Sequence, residues 1–339
     1  MAEILLCFFW ALIISMFAIP SIIYVAESKK LLNLPNERST HSISVPRLGG
    51  LAIFAGFLSS VFIFGRITQD VQYLLAGCLI LFYIAIKDDL VHVSAFKKFF
   101  VQLLATSILV FLGDFRITNF HGLLGIQELT LGISYAFTVV VVIAITNSIN
   151  LIDGINGLAG SLVVSIMLSL ALLMYVLSQE TAFILIAVSL TGAVLGFLRY
   201  NFHNAKIFMG DAGSLICGFI LAALLIKFVE NTQSLNAPIL GMSIIFIPIT
   251  DTIRITFLRI FEGKSPFMPD RNHIHHKLLL AGYSQSFIVV VLTVVNLMAF
   301  LFFYFNSHIE INYAMLIFLG LQSLIIFTIG ILKEKITQS

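Results

Sequence analysis

Residues 133–177 decide how this chain folds, because two apolar runs, ISYAFTVVVVIAIT and SLVVSIMLSLALLMYVL, flank the polar stretch NSINLIDGINGLAG at 147–160. A helix of about 20 apolar residues crosses the hydrocarbon core of a bilayer. Asparagine and aspartate side chains are costly to leave among lipid tails without a partner. The stretch therefore predicts two membrane helices that meet at a polar site on one face of a membrane.

The composition indicates a membrane protein along the whole chain. Of its 339 residues, 59% are hydrophobic and 11% are charged, whereas a soluble domain carries about 25% charged residues. The formal net charge is +2 and the basic residues are dispersed, which argues against a nucleic-acid-binding protein. Cys7, Cys78 and Cys217 lie far apart in apolar runs and predict small core residues rather than disulfides.

The apolar segments number eleven, and the first is too long for the core of a signal peptide. They predict an all-α fold, a polytopic membrane helix bundle of about eleven transmembrane helices, or ten, in a single domain over 1–339. The predicted spans are 4–26, 48–65, 71–86, 99–113, 133–151, 158–177, 181–198, 212–229, 237–258, 287–305 and 311–332.

The charge distribution predicts the orientation of this bundle. The odd-numbered loops and the C-terminal tail hold fifteen lysines and arginines, whereas the even-numbered loops hold two, Arg66 and Arg116. Cytoplasmic loops of membrane proteins carry the excess of basic residues. We therefore expect the N-terminus outside, the C-terminus in the cytoplasm, and the polar motifs of the odd loops on the cytoplasmic side.

Two acidic motifs border predicted spans. Asp88 and Asp89 are followed by Lys97 and Lys98, a pattern that suits a divalent cation and a phosphate, although a solvated interfacial pair explains it equally well. Asp211 opens the eighth span between glycines. An N-cap would account for that aspartate, but the same position suits an oxygen ligand presented to Mg²⁺.

Amide and carboxylate side chains recur every three residues in the opening stretch, at positions 147, 150, 153 and 156. On a helix this spacing predicts one polar stripe. Helix capping and interhelical hydrogen bonds are the alternative explanation, but four such groups within ten residues exceed what capping requires. Gly154 and Gly157 would let a ligand or a second backbone come close.

A histidine cluster, His273, His275 and His276, lies beside Arg271. No cysteine or matching acidic spacing accompanies it, so binding of a diphosphate by these polar side chains is a better interpretation than a zinc site. Asp251 and Arg254 stand three residues apart within the ninth predicted span. The simplest role for them is a mutual ion pair.

Together these motifs resemble those of the polyprenyl-phosphate N-acetylhexosamine-1-phosphate transferases, integral membrane enzymes related to the phospho-N-acetylmuramoyl-pentapeptide translocase. The resemblance covers most of the chain and keeps the order of the family's motifs. HIHH, and PRLGG in place of PTMGG, favour the GlcNAc-1-phosphate branch. The motifs are PNERSTHSISVPRLGG at 35–50, KDDL at 87–90, NSINLIDGINGLAG at 147–160, GDAGS at 210–214 and SPFMPDRNHIHH at 265–276.

The resemblance implies transfer of an N-acetylhexosamine 1-phosphate, first of all GlcNAc 1-phosphate, from a UDP-sugar to undecaprenyl phosphate with release of UMP. This reaction would start a lipid-linked cell-envelope polysaccharide such as O-antigen at the cell inner membrane, and a homodimer would be compatible with the family. The implied cofactor is Mg²⁺, with Mn²⁺ as an alternative. The implied residues are Asp88, Asp89 and Asp153 for catalysis, Asp211 and Asn156 for the metal, and Asn147, Asn150, Arg38, His41, Arg271, His273, His275 and His276 for substrate.

One departure from the family and two alternatives bear on that prediction. The chain reads DGING where bacterial members usually read DGxDG, so Asn156 offers an oxygen but one negative charge fewer. We expect this to alter metal affinity or sugar choice, and UDP-FucNAc or another 6-deoxy donor is the alternative substrate. A secondary transporter is the more distant alternative, but only Asp251, Arg254 and Lys227 fall within predicted spans.

Overall fold

The computed structural model of the protein describes residues 2–31, 45–232, 236–263 and 272–338. Within these ranges the regular structure is helical, which confirms the all-α prediction. The α-helices are α1 (Ala2–Ser28), α2 (Gly49–Phe64), α3 (Gln69–Leu90), α4 (Ala95–Ser107), α5 (Leu131–Ile152), α6 (Leu158–Val176), α7 (Thr181–Asn201), α8 (Gly210–Glu230), α9 (Ala237–Ile244), α10 (Phe246–Phe261), α11 (Ile274–Leu280), α12 (Gln285–Phe305) and α13 (Ile311–Gln338). A π-helical turn, Ile108–Leu112, continues α4.

Nine helices in the described ranges are long and apolar enough to cross a membrane, and the apolar helix α2 is shorter. The predicted segments all coincide with helices, but the ninth differs because 237–258 is not one continuous helix. It is divided at Ile245 into α9 and α10. The total of eleven crossings and their orientation stay predictions.

The break between α9 and α10 has a local cause. Pro248 has no backbone N–H and so cannot continue the helical bond to the carbonyl of Ile244. The amide of Asn296 in α12 takes up the freed groups instead. It donates to the Ile244 carbonyl at 2.8 Å and accepts from the Ile247 N–H at 3.0 Å. A side chain from a neighbouring helix thus stabilises the broken backbone inside the bundle.

Helix α8 is the core of the bundle, since most of its residues are buried and it packs against α2, α3 and α5. A Cβ atom added at Gly218 would lie 2.7 Å from the carbonyl oxygen of Thr146 in α5. This close approach of backbones is typical of packed membrane helices. Cys7, Cys78 and Cys217 are free and buried, as predicted.

Helices α3 and α8 run antiparallel, because the end of each contacts the start of the other. We call the two ends of this pair the Asp211 end, with Asp88, Asp89, Lys98 and Asp211, and the Asp70 end, with Asp70, Lys227 and Glu230. Eighteen residues of α3 separate Asp70 from Asp88, about 27 Å at 1.5 Å per residue. Charged side chains therefore meet at two well-separated levels of one helix pair.

Candidate active site

The first turn of α8 is capped by a carboxylate from α3. The two oxygens of Asp89 accept hydrogen bonds from the backbone N–H groups of Asp211 and Ala212, at 2.9 and 3.0 Å. Asp211 is therefore not an N-cap, the alternative role that its sequence position allowed, because Asp89 supplies the cap from another helix. This leaves the carboxylate of Asp211 available for other contacts.

Gly210 makes this approach of α3 to α8 feasible. Its φ is +72°, and a Cβ atom there would lie 2.3 Å from the carbonyl oxygen of Arg47 and 2.7 Å from an oxygen of Asp89. A side chain at this position would be strained and would collide with backbone. The glycine of GDAGS thus fixes the distance between Asp89 and α8.

Lys98 joins the two acidic motifs. Its Nζ donates to Oδ2 of Asp88 at 2.9 Å and to Oδ2 of Asp211 at 2.8 Å. Asp88 also accepts from the backbone N–H of Val93 at 2.6 Å. One ammonium group is therefore shared by carboxylates that lie 123 residues apart in the sequence, and the two motifs form one site.

Two asparagines of α5 approach this site in different ways. The amide of Asn150 donates to Oδ1 of Asp211 at 3.2 Å and to the hydroxyl of Ser214 at 2.8 Å. Asn147 exchanges hydrogen bonds with Gln102 of α4, at 3.1 and 3.3 Å, and donates to the carbonyl of Ile143. Asn150 therefore lies at the acidic cluster, while the amide of Asn147 joins α5 to α4.

The predicted helical stripe of polar residues is wrong beyond Ile152. Helix α5 ends there, and 153–157 form a tight turn before α6. Gly157 has φ +81°, and its N–H donates to the buried amide of Asn201 at 2.8 Å. Asn201 in turn donates to the carbonyl of Ile207 at 2.9 Å. The turn is thus tied to the segment that leads into α8.

Asp153 and Asn156 lie on this turn. Burial and, to a smaller extent, the negative charge of Asp211 raise the pKa of Asp153 to about 7, although the positive charge of Arg47 acts in the opposite direction. The charge of Asp211 thus reaches Asp153, which links the turn to the acidic cluster. Asn156 is 5% exposed, and within the described part of the chain its side chain forms no hydrogen bond. The residue is therefore mostly buried, and its amide is not held by a hydrogen bond within the described residues.

The histidine segment packs on the same turn. The ring of His275 is 1% exposed, and a Cβ atom at Gly154 would lie 2.1 Å from its Nε2. Burial lowers the pKa of His275 to about 3, so this ring is neutral near pH 7. The rings of His273 and His276 lie beside it, with centroids at 5.6 and 4.3 Å. The histidine motif and the DGING motif are therefore in contact.

The end of the first loop motif also reaches the site. Backbone N–H groups of Gly49 and Gly50 donate to the carbonyls of Phe208 and Met209 at 2.9 and 2.8 Å. A Cβ atom at Gly50 would lie 2.2 Å from the backbone nitrogen of Gly213. PRLGG thus packs directly on MGDAGS. The predicted substrate residues Arg38, His41 and Arg271 lie outside the described residues.

Sequence reasoning missed several residues that build this site. Lys98 was expected near Asp88, but its contact with Asp211 was not. Gln102 follows Lys98 by one helical turn on α4, which is the signal that could have paired it with Asn147. The sequence gave no indication that Asn201 belongs to the site, because an asparagine at a helix end has many ordinary explanations. The partner of its amide is distant in sequence.

The charge balance determines what the site can bind. Four carboxyl groups lie in this cluster, those of Asp88, Asp89, Asp153 and Asp211. The basic residues are fewer: Lys98 forms ion pairs with Asp88 and Asp211, and Arg47 acts on Asp153 through its positive charge. Oxygen ligands and surplus negative charge suit a hard cation such as Mg²⁺, which takes one or two carboxylates and completes its shell with water and phosphate. Among the described residues, no group of three or more His, Cys, Asp or Glu side chains could hold a metal ion, so water and phosphate would have to supply most of the ligands of a cation here.

Fold and site together define a class: a helical integral membrane protein with a cluster of acidic residues around one lysine at one end of its bundle. Residues 71–229 match the sequence model of glycosyl transferase family 4. A probable undecaprenyl-phosphate N-acetylglucosaminyl 1-phosphate transferase of Bacillus subtilis is 32% identical over 87% of this chain and 83% of its own length. The chain therefore belongs to this family of transferases, as the motifs predicted.

Two other relatives extend the comparison. The decaprenyl-phosphate N-acetylglucosaminephosphotransferase of Mycobacterium tuberculosis H37Rv is 32% identical over 83% of this chain and 77% of its own length. The undecaprenyl-phosphate alpha-N-acetylglucosaminyl 1-phosphate transferase of Escherichia coli K12 is 28% identical over 79% of this chain and 75% of its own length. Membership in this family leaves the transporter alternative without support.

Proposed function

We propose that this protein transfers GlcNAc 1-phosphate from UDP-GlcNAc to undecaprenyl phosphate and releases UMP. The names of the three relatives support transfer of GlcNAc 1-phosphate to a polyprenyl phosphate, and two of them name undecaprenyl phosphate as the acceptor. The observation that carries the proposal is the shared ammonium group of Lys98, which brings Asp88 and Asp211 within hydrogen-bond reach of one point. The product would begin a cell-envelope polysaccharide such as O-antigen, with the Asp211 end facing the cytoplasm at the inner membrane.

The reaction is a displacement at phosphorus. A phosphate oxygen of undecaprenyl phosphate attacks the β-phosphorus of the UDP-sugar, the bond from this phosphorus to the oxygen bridging it to the α-phosphate breaks, and UMP leaves with that oxygen. Such transfers depend on alignment and charge stabilisation more than on covalent help. Asp88, held by Val93 and Lys98, would orient the acceptor phosphate or take its proton.

The other residues would hold the donor. Asn150 and Asp153 would contact its nucleotide side, and the histidines of 273–276 would contact the diphosphate and sugar. Asp89 acts through α8, because both its oxygens fix the first turn that presents Asp211. Lys98 would place positive charge beside the phosphoryl group as charge develops there.

Asp211 and Asn156 are the residues that would hold Mg²⁺, or Mn²⁺ in its place. Asp211 provides a carboxylate oxygen at the centre of the cluster, and Asn156 provides an amide oxygen on a residue that is 5% exposed. The bound ion would neutralise charge on the diphosphate.

The test is UMP release from membranes supplied with undecaprenyl phosphate, Mg²⁺ and a panel of UDP-N-acetylhexosamines that includes UDP-FucNAc. We expect UDP-GlcNAc to be the best donor and Asp211→Asn to abolish its use. Asp114→Asn is the matched control, since Asp114 is an exposed acid paired with Arg116 near the Asp70 end. Preference for a 6-deoxy donor would correct the sugar, and absence of UMP release with every donor would reject the reaction.

A further inference from the structure

A buried ion pair in α10 lies outside the residues assigned to the reaction. Asp251 and Arg254 are 3% and 5% exposed, and Nη2 of Arg254 lies 2.8 Å from Oδ1 of Asp251. The predicted mutual ion pair is thus confirmed. A buried pair alone contributes little to stability, because desolvation offsets the attraction. Further partners are needed to account for two buried charges here.

Those partners are three consecutive residues at the start of the histidine helix α11. Oδ2 of Asp251 lies 2.8 Å from Nδ1 of His273, and Oδ1 accepts the backbone N–H of Ile274 at 3.0 Å. Arg254 donates to the backbone carbonyl of Asn272. Asp251 therefore caps α11 from another helix, as Asp89 caps α8.

The contacts with α10 govern where α11 lies. This helix spans seven residues, and a helix so short has little stability of its own in water. Its inner face places the ring of His275 on Gly154, where an added Cβ atom would lie 2.1 Å from Nε2 of that ring. Both ring nitrogens of His275 lack a hydrogen-bond partner within the described residues. A displacement of α11 would therefore move this buried ring away from the Asp153–Asn156 turn.

We propose that Asp251 and Arg254 are positioning residues for the donor substrate, which hold His273 and His275 against the DGING turn. The proposal rests on the proposed function for the identity of the donor. The carboxylate of Asp251 requires the proton of His273 on Nδ1, so the tautomer of this ring is fixed as well. The pair itself contacts no substrate and acts only through α11.

The first test needs no substrate. In Asp251→Asn, hydrogen exchange of the peptide 272–280 should become faster, because the Ile274 N–H loses its charged acceptor. An unchanged rate of hydrogen exchange in this peptide would show that Asp251 does not hold α11 against α10. If the single variant does not fold, the double variant Asp251→Asn with Arg254→Gln leaves no unpaired buried charge and is measured in its place.

The second test separates positioning from stability. We expect Asp251→Asn to raise KM for UDP-GlcNAc about tenfold or more, with KM for undecaprenyl phosphate within about twofold of wild type. Its effect should be non-additive with that of His275→Ala, because both changes remove the same ring from the turn. An unchanged donor KM, or additive effects, would overturn the positioning role.

Asp70→Asn is the matched control, because it breaks the ion pair with Lys227 at the opposite end of α3. It should lower thermal stability while the donor KM stays within about twofold of wild type, and its effects should add to those of His275→Ala. If the wild-type protein uses no UDP-sugar, the proposed function fails. The hydrogen-exchange measurement still decides whether Asp251 holds α11 in place.

Discussion

The two ends of the α3–α8 pair balance their partly buried charges in opposite ways. At the Asp70 end, Nζ of Lys227 lies 2.5 Å from an oxygen of Asp70 and 4.5 Å from the ring centroid of Phe115. The carboxylate of Glu230 accepts from the N–H and the hydroxyl of Thr118 at 2.8 and 2.6 Å. Each carboxylate there has a donor of its own.

At the Asp211 end, by contrast, donors are shared. Lys98 serves both Asp88 and Asp211, Asp89 is bonded to the backbone of α8, and the pKa of Asp153 is raised to about 7 by burial and by Asp211. The Asp70 end joins the same two helices, and there each carboxylate has its own donor. Packing of α3 against α8 therefore does not require the excess of carboxylates over basic groups at the Asp211 end. The difference supports the proposal that a cation and phosphate groups complete the site at the Asp211 end.

Asp211→Asn tests this contrast with the largest expected effect. Loss of the carboxylate shared by Lys98 and Asn150 should lower UMP release about 1000-fold or more, because electrostatic stabilisation of the transferred phosphoryl group is lost. Asp70→Asn should stay within about threefold of wild type. Both variants are checked for monodisperse extraction in detergent, and similar losses in the two would show that the ends do not differ in function.

Lys98→Met and Lys227→Met compare the two partly buried ammonium groups. Removing Lys98 should lower kcat about 100-fold, since a positive charge at the phosphoryl group is worth that order. Removing Lys227 leaves Asp70 and the Phe115 ring without their cation, so thermal stability should fall while kcat per folded molecule is retained. Equal kcat for Lys98→Met and wild type would contradict a role for Lys98 in the reaction.

Gly154→Ala should have a smaller effect. An alanine Cβ would lie 2.1 Å from Nε2 of His275, so the ring must move and KM for UDP-GlcNAc should rise about tenfold. Gly132→Ala is the control, because nothing lies within 4 Å of a Cβ atom there. Michaelis constants measured in the same membranes compare the two, and an unchanged KM for Gly154→Ala would place His275 outside the donor site.

The pH dependence should show the mildest effect. The pKa of Asp153 is about 7, so its ionised fraction falls as the pH drops through 7. If the carboxylate contacts the substrate, kcat/KM should decrease by up to about tenfold per pH unit below that value. Asp153→Asn should flatten this acid limb. An acid limb near pH 7 that persists in the variant must come from another group.

The sequence predicted the helices better than the contacts between them. Apolar length located almost every element, but the break at Ile245 depended on Asn296 in α12, which no local pattern reveals. The motif order indicated that Asp88, Asn150 and Asp211 act together. The hydrogen-bond partners of the motif residues, such as Gln102 for Asn147, could not be predicted, because they come together only when the helices pack.

Two local rules failed for a related reason. The three-residue spacing from Asn147 to Asn156 predicted one helical stripe, but Gly157 at φ +81° and its bond to Asn201 form a turn instead. Asp211 had the sequence position of an N-cap, yet Asp89 takes that role from α3. Long-range hydrogen bonds overrode local propensity at both places, as is common at functional sites.

The most direct test of the difference between the two ends is Mn²⁺ binding without turnover, measured by electron paramagnetic resonance on purified protein with UMP. Wild-type protein and Asp70→Asn should each bind a single Mn²⁺ per chain, and Asp211→Asn should bind none at the same concentrations. Equal Mn²⁺ binding by Asp211→Asn and wild type, or loss of binding in Asp70→Asn, would contradict a cation site at the Asp211 end.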